Sequence, residues 1–286
     1  MKFLLWTYLL LFSATLFAQK PVTLLTDSTK SVLIHIKDGT TLRGKIVSRI
    51  DNGITLKTDN LGEINILLVN IEKIEEVYGY QRNGTYWLEN QFASRYFLAA
   101  SAFNIRKGET YYQNTYLFAN SVTHGFSDNF SMGGGFLFFP ILQSGISILF
   151  FTPKISTQIA PKLRVGVGTV AVVVSGIAGS RNTAGILYSN ATYGSRDNNV
   201  TVGAGLGYTP DAISSSPVLN VSFMKRVGKK VSLVSENWLT PGNGTLFSGG
   251  IRIFGDRLSV DLAILATGPA AAVPYVDVAY KFGKRK

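Results

Sequence analysis

Cysteine is absent from this 286-residue sequence, and histidine occurs only twice. The lack of cysteine excludes a disulfide framework, a thiolate metal site and a cysteine for lipid attachment. His35 and His124 have no second metal-type ligand at a useful spacing, so the sequence indicates neither a metal site nor a cofactor. Beyond the N-terminus no run reaches the roughly 18 uninterrupted apolar residues that a transmembrane helix needs.

Residues 1–18 have the pattern of a secretory signal peptide. The short basic start Met1-Lys2 precedes an apolar run over 3–12, and smaller residues follow at 13–18. Cleavage is expected after Ala18. The alternative is a membrane anchor, but about 17 apolar residues with no basic stop behind them are marginal for one.

Acidic residues are few beside basic ones, 17 against 28, and the formal net charge is +11. Such an excess is common in nucleic-acid-binding proteins. A secreted chain rarely meets the nucleic acid of its own cell, so nucleic acid is not the expected partner. Outer-membrane lipid and lipopolysaccharide are expected instead, with lysine and arginine binding their phosphates. The alternative is that the basic turns serve solubility alone.

Residues 31–77 are predicted to form a separate small β-domain, because apolar and polar residues alternate in short runs between turn sequences. The runs are Val32-x-Ile34-x-Ile36, Leu42-x-Gly44-x-Ile46, Ile54-x-Leu56 and Ile64-x-Ile66, and the turns are Lys37-Asp38-Gly39, Asp51-Asn52-Gly53 and Asn60-Leu61-Gly62. The strand–Asp-Gly–strand–Gly opening resembles Sm-like proteins. This resemblance implies a small Sm/SH3-like β-barrel of four or five strands. The acidic and asparagine positions with which Sm-like proteins bind RNA are not located here, so RNA binding is not implied.

Residues 78–93 are dense in aromatic side chains and are interpreted as a linker. The aromatics are Tyr78, Tyr80, Tyr86, Trp87 and Phe92. Such side chains suit a membrane–water boundary, where the ring is buried and the polar edge stays wet. Equally, they suit packing of the small domain against the rim of a barrel.

A polar turn followed by an alternating strand occurs five times after residue 120, at intervals of about thirty residues. The turns read HGFSDN, IAPK, GSRDNN, RVGKK and GDR, and the strands begin at Phe130, Leu163, Val200, Val231 and Leu258. Antiparallel hairpins with one apolar and one small or polar face are typical of transmembrane β-barrels.

From residue 94 onward the pattern predicts about twelve strands, near the length that a tilted strand needs to cross a bilayer. They are placed at 94–105, 109–122, 129–139, 145–157, 162–175, 183–193, 199–208, 217–226, 230–239, 246–254, 257–267 and 273–282. Residues 94–286 are therefore predicted to be an all-β, up-and-down antiparallel barrel. The five polar turns and both ends of the barrel are expected on the periplasmic side. Connections at 106–108, 176–182, 209–216, 240–245 and 268–272 are expected on the opposite side.

The last predicted strand, 276–282, resembles the terminal strand of bacterial outer-membrane proteins. Those proteins end on an aromatic residue that the outer-membrane insertion machinery reads, and Tyr280 and Phe282 are the matching positions. Here Gly283-Lys284-Arg285-Lys286 follow, which departs from the pattern. The span 83–282 is similar to secreted barrel proteins of bacteria with two membranes, which implies an outer-membrane location with residues 19–93 in the periplasm.

Strand alternation assigns the charged side chains of the barrel to its interior, because a charge facing lipid costs ~2–4 kcal/mol at the bilayer centre. The candidate lumen network comprises Arg164, Glu236, Arg252, Asp261, Asp277 and Lys281. Arg252 is expected diagonal to Asp261, and Asp277 opposite Asp261, with Arg252 and Lys281 keeping both carboxylates ionised. Two interpretations stay open: structural ion pairs that fill the lumen, or a constriction that selects solutes.

Paired glycines on the same interior face recur on alternate strands. They are Gly133 and Gly135, Gly166 and Gly168, and Gly203 and Gly205. They indicate either space for a cavity or plug, or sharp strand curvature.

These patterns predict a non-enzymatic outer-membrane barrel, structural or a narrow channel, whose cargo the sequence does not identify. The alternative is a periplasmic binding module, residues 31–77, that docks a periplasmic protein and is anchored by the barrel. A third hypothesis, a lipid-modifying membrane enzyme, would draw on His124 or Asp261. It is disfavoured because Ser127 and Asp128 beside His124 suit a turn.

Overall fold

The computed structural model describes residues 31–58, 60–82, 85–138, 147–175, 181–242, 244–267 and 271–282. The predicted signal peptide, 1–18, lies outside these residues. The chain divides into two compact units, the first ending at Val77 and the second beginning at Tyr78. Among the described residues, no helix combines the length and the apolar character needed to cross a membrane.

The first unit is a five-stranded antiparallel sheet in the order β4-β3-β2-β1-β5. Its elements are β1 (Ser31–Ile36), β2 (Thr41–Ile50), β3 (Gly53–Thr58), β4 (Glu63–Leu67), a 3-10 turn (Leu68–Asn70) and β5 (Ile71–Val77). The predicted apolar positions form its core, with Val32, Ile34, Ile54 and Leu56 fully buried. The Sm/SH3-like resemblance of this unit stays a prediction.

The second unit begins with a hairpin, β6 (Gly79–Arg82) and β7 (Thr85–Leu88), and continues through residues 89–109 into a closed barrel of twelve antiparallel strands. The barrel strands are β8 (Thr110–Thr115), β9 (Ala119–Gly125), β10 (Phe130–Leu137), β11 (Ser147–Ala160), β12 (Leu163–Ser175), β13 (Arg181–Gly194), β14 (Asn198–Tyr208), β15 (Ile213–Arg226), β16 (Val231–Thr240), β17 (Gly244–Phe254), β18 (Leu258–Ala266) and β19 (Ala272–Phe282). Each strand pairs with its sequence neighbour, and β19 pairs with β8 to close the ring.

The predicted strand at 94–105 is wrong. The number of strands still agrees, because one other predicted strand is in fact two. Residues 94–105 form turns and bends instead, and the predicted strand 109–122 is the hairpin of β8 and β9. This hairpin turns at Tyr116 and Leu117, whose φ angles are +54° and +67°. Since neither residue is a glycine or an asparagine, the turn gives no sequence signal.

The corrected hairpin also changes one predicted connection. Residues 106–108 precede β8 and lie at the same end of the barrel as the five polar turns, whereas 116–118 form a connection at the opposite end. Antiparallel alternation of the twelve strands places the start of β8 and the end of β19 together at the polar-turn end.

The two faces of the wall differ as strand alternation requires. Val167, Val202 and Ile264 are about half exposed on the outer face, whereas Thr201 and Ser259 on the inner face are fully buried. Large apolar side chains cover the outside of the barrel, and small polar or charged ones face the lumen. A closed barrel with this distribution is the architecture of transmembrane barrels.

Candidate functional site

The lumen is filled by residues 89–109, hereafter the lumen segment, which join β7 to β8. Tyr96 and Phe97 are fully buried in it. The segment folds back on itself, because Arg95 bridges Ala100 and the Tyr96 N–H donates to the Ala99 carbonyl at 2.8 Å. Its tip residue, Leu98, is 59% exposed. Charged side chains of the barrel wall hold this loop.

Glu236, on β16, accepts hydrogen bonds from the tip of the lumen segment. Its Oε2 accepts the backbone N–H groups of Phe97, Leu98 and Ala99 at 2.8, 2.9 and 2.9 Å. The other oxygen, Oε1, accepts Trp238 Nε1–H at 2.7 Å. A buried carboxylate with these four donors is satisfied without a cation, as in an anion-binding backbone nest.

Arg252, on β17, donates hydrogen bonds to backbone carbonyl oxygens of the lumen segment. Its Nη1 donates to the carbonyl oxygens of Phe92 and Arg95 at 2.8 and 3.0 Å, and its Nη2 donates to that of Tyr96 at 2.6 Å. Its Nε and Nη2 also bind Asp261 at 2.7 and 2.6 Å. The register places Arg252 directly opposite Asp261, not diagonal to it as predicted.

Arg95, in the lumen segment, lies between two carboxylates of the wall. Asp261 and Asp277 are cross-strand partners, as expected from the last hairpin. Arg95 Nη1 contacts Asp261 Oδ2 at 3.0 Å, and Nη2 contacts Asp277 Oδ1 at 2.7 Å. Asp277 Oδ2 also accepts Gln113 Nε2–H and the Thr115 hydroxyl at 2.7 and 2.6 Å. Two facing carboxylates would repel each other, and the shared guanidinium offsets that repulsion.

Lys154, on β11, is buried and binds only backbone oxygens in the described part of the chain. Its Nζ donates to the carbonyls of Ser101 and Phe103 at 2.8 and 2.7 Å, with that of Ser94 at 3.5 Å. An isolated buried ammonium is costly unless it is hydrogen-bonded. The three carbonyls therefore make the folded lumen segment a requirement for keeping Lys154 inside the barrel.

At the polar-turn end, Arg226 of β15 anchors the start of the lumen segment. Arg226 Nη1 contacts Asp197 Oδ1 at 2.8 Å, and the same oxygen accepts the Asn90 N–H at 2.9 Å. Burial raises the pKa of Asp197, although the Arg226 guanidinium opposes that rise. The guanidinium also lies 4.9 Å from the centre of the Trp87 ring.

The predicted linker 78–93 therefore covers two different parts of the second unit. Its first half is the β6–β7 hairpin, and Asn90 and Phe92 are already buried in the lumen. Tyr78 stacks under the Arg106 guanidinium at 3.5 Å. The rings of Tyr78 and Trp87 thus pack on arginines within the second unit.

Lys281 and Arg164, like Glu236, lie apart from Asp261 and Asp277. Lys281 Nζ contacts Glu109 Oε2 at 2.5 Å and Gln91 Oε1 at 3.0 Å. Arg164 donates to Gln158 Oε1 at 2.9 Å, and its guanidinium lies 5.6 Å from the Phe103 ring. The prediction that Lys281 helps to keep Asp261 and Asp277 ionised is wrong. Arg95 is the cation that contacts both aspartates.

Sequence reasoning missed Arg95, Lys154 and Glu109 as members of this site. Lys154 had a usable signal. It lies between the outward-facing positions of β11, so strand alternation places this charge in the interior. Arg95 and Glu109 had none, since a turn-rich segment has no strand period to assign its faces.

The geometry offers no catalytic arrangement among the described residues. Asp261 and Asp277 are both occupied by guanidinium groups. His124 lies in β9 rather than in the following turn, and its Nδ1 is 2.7 Å from the Thr110 hydroxyl. Ser127 accepts the Phe130 N–H at 3.0 Å, which is a turn contact. No group of three metal-ligating side chains occurs in the described residues.

No protein-family model and no curated protein matches the chain. Among solved structures, the KdgM porin is similar over 61% of this chain and 99% of its own, with 11% identity and a TM-score of 0.48. OmpT, an outer membrane protein of Vibrio cholerae, is similar over 91% of this chain and 99% of its own, with 12% identity and a TM-score of 0.34. A variant of OccD1 (OprD) covers 85% of this chain with 83% of its own, at 8% identity and a TM-score of 0.34. The barrel assignment rests on the strand pairing of this chain itself.

Proposed function

We propose that this chain is a non-enzymatic outer-membrane barrel protein whose lumen is closed, so that it serves as a structural envelope protein rather than as an open channel. The observation that carries the proposal is the lumen segment, held by Glu236, Arg252 and Lys154 from three different strands. Charge-assisted hydrogen bonds of this kind contribute about 1.5–3 kcal/mol each. A segment held in this way obstructs the path of a hydrated ion.

The location is supported by the wall. Buried charges point into the lumen, and apolar side chains such as Val167 and Leu262 cover the outside. Exposed Lys162, Lys229 and Lys230 lie in the polar turns at one end of the barrel. We propose that this end is periplasmic and that these lysines contact lipid phosphates, since basic residues at a membrane surface bind anionic headgroups. Lipopolysaccharide at the opposite end and the insertion machinery at β19 stay proposed partners.

Conductance across a planar lipid bilayer tests the closed lumen. The wild-type protein is expected to insert without a steady current. A Glu236→Leu, Arg252→Met double variant leaves backbone groups of the lumen segment unpaired, and it is expected to open intermittently. Arg164→Gln is the matched control. Arg164 faces the lumen, but its contacts in the described part of the chain are with Gln158 and the Phe103 ring.

Heat-modifiable gel mobility confirms first that each variant is a folded barrel. A steady wild-type current that the double variant leaves unchanged would show that ions pass the lumen segment, and the chain would then be a channel.

A second candidate function is favoured by the surface of the first unit. Val47 on β2, Leu67 on β4 and Val69 in the 3-10 turn are exposed, although the unit has its own buried core. We propose as the alternative that residues 31–77 dock a periplasmic protein while the barrel anchors them. In affinity purification, a Val47→Ser, Leu67→Ser, Val69→Ser variant should lose an envelope protein that the wild type retains. If the variant and the wild type retain the same proteins, this surface does not dock a partner.

A further inference from the structure

A cavity of about 420 Å³ lies inside the barrel beside the lumen segment. Leu98, Ala99 and Ala100 of that segment line it together with inner-face residues of the wall. Its size falls in the range of small-molecule sites. The side chain of Leu98 is 59% exposed, so it offers apolar surface to this cavity.

The wall of the cavity is richer in polar side chains over β8–β11 than over β12–β16. Hydroxyl groups come from Ser121 and Thr123 on β9 and from Thr152 on β11. A Cβ at Gly133 would collide with the hydroxyl oxygens of both threonines, so the glycine makes room for them.

The opposite side has more apolar surface. Val170, Ile186, Val218 and Trp238, from β12, β13, β15 and β16, line it beside Asn190 and Asn220, and Leu98 adds to its apolar part. A ligand that fills the cavity therefore meets mainly hydroxyl groups on one side and more hydrocarbon and aromatic surface on the other.

Charge selection follows from the contacts already described. The lining charges are Arg95 and Lys154. Arg95 is neutralised by Asp261 and Asp277, and Lys154 is occupied by carbonyl oxygens. A charged ligand would lose its hydration without gaining a free counter-ion, which is costly.

We propose that this cavity binds a neutral glycoside, with its sugar hydroxyls toward Ser121, Thr123 and Thr152 and an apolar aglycone toward Val218 and Leu98. The polar side of the wall, its more apolar opposite side and the absence of a free charge in the described lining match that one class of molecule. The proposal goes beyond the closed lumen and takes from it only the position of the lumen segment.

Calorimetric titration of the full chain in phosphatidylcholine nanodiscs tests the proposal, with hexyl β-D-glucoside as the probe and empty nanodiscs as the blank. Saturable binding above the blank is expected, tighter than for glucose or hexanol, and tighter than for the anionic hexyl glucuronide. Thr152→Val should weaken binding about tenfold by removing one hydrogen-bonding group. Thr157→Val is the matched control on the same strand and should leave binding unchanged, because Thr157 is exposed on the outer face.

Three results would overturn the proposal: no saturable binding, equal binding of hexanol, or tighter binding of the glucuronide. An unchanged affinity in Thr152→Val, or an equal loss in Thr157→Val, would show that the glucoside binds elsewhere. A steady current in bilayers would instead reject the closed lumen. The two proposals therefore fail in different experiments.

Discussion

Glu236→Gln is the most informative single change in the lumen, because it keeps the shape of the side chain and removes its charge. The carboxylate oxygen Oε2 accepts three backbone N–H groups, from Phe97 to Ala99, and Oε1 accepts Trp238 Nε1–H. A glutamine has only one acceptor oxygen. If that oxygen faces the lumen segment, the amide NH2 faces the indole N–H, and two donors oppose each other.

The size of the effect follows from the number of bonds. Hydrogen bonds to a charged group contribute about 1.5–3 kcal/mol, and neutral ones about 0.5–1.5 kcal/mol. A loss of about 1 kcal/mol at each of three bonds amounts to ~3 kcal/mol. Because 1.4 kcal/mol is a factor of ten in an equilibrium constant, the local opening of the segment should increase about a hundredfold.

Amide hydrogen exchange of Phe97, Leu98 and Ala99 in lipid nanodiscs measures this opening directly. The protection of these three amides should fall about a hundredfold in Glu236→Gln, and strand amides of the distant β12–β13 pair should change little. Glu63→Gln, an exposed position of the first unit, is the matched control. A fall of less than about fivefold would refute the view that the carboxylate holds the loop.

Two further predictions concern charges in the two units. Arg95→Met should destabilise the barrel by about 3–5 kcal/mol in a urea titration, because it leaves Asp261 and Asp277 facing each other with one guanidinium fewer. Adding Asp277→Asn should restore part of the loss, and an additive double variant would argue against a shared guanidinium. In the first unit, burial acts to raise the pKa of Glu75, but Lys73 and His35 outweigh it and hold this pKa below its usual range. Its contribution to stability is thus present above the unfolded pKa, about 4.3, and lost as pH falls through the folded value. Exchange protection of β1 and β5 should drop between pH 5 and pH 3 in the wild type and less so in Glu75→Gln; an equal drop in both would contradict this.

Strand alternation was sufficient to predict most of the wall. The inner-face positions of Arg252 and Asp261 and the outer-face positions of Val202 and Leu262 follow from a period of two along each strand, which is a local property. The β8–β9 hairpin was missed because its turn residues, Tyr116 and Leu117, carry no turn signal. Three consecutive bulky residues at 96–98 were the available warning that 94–105 does not alternate.

By itself, the sequence determined that the C-terminal two-thirds of the chain forms antiparallel strands with one apolar and one polar face. The face on which a residue lies depends only on its immediate neighbours in the strand. The filling of the barrel was decided by tertiary structure alone. Arg95 is 182 residues from Asp277 along the chain, and Phe97 is 139 residues from Glu236. No pattern in the sequence links residues so far apart. Only closure of the barrel around the lumen segment brings them together.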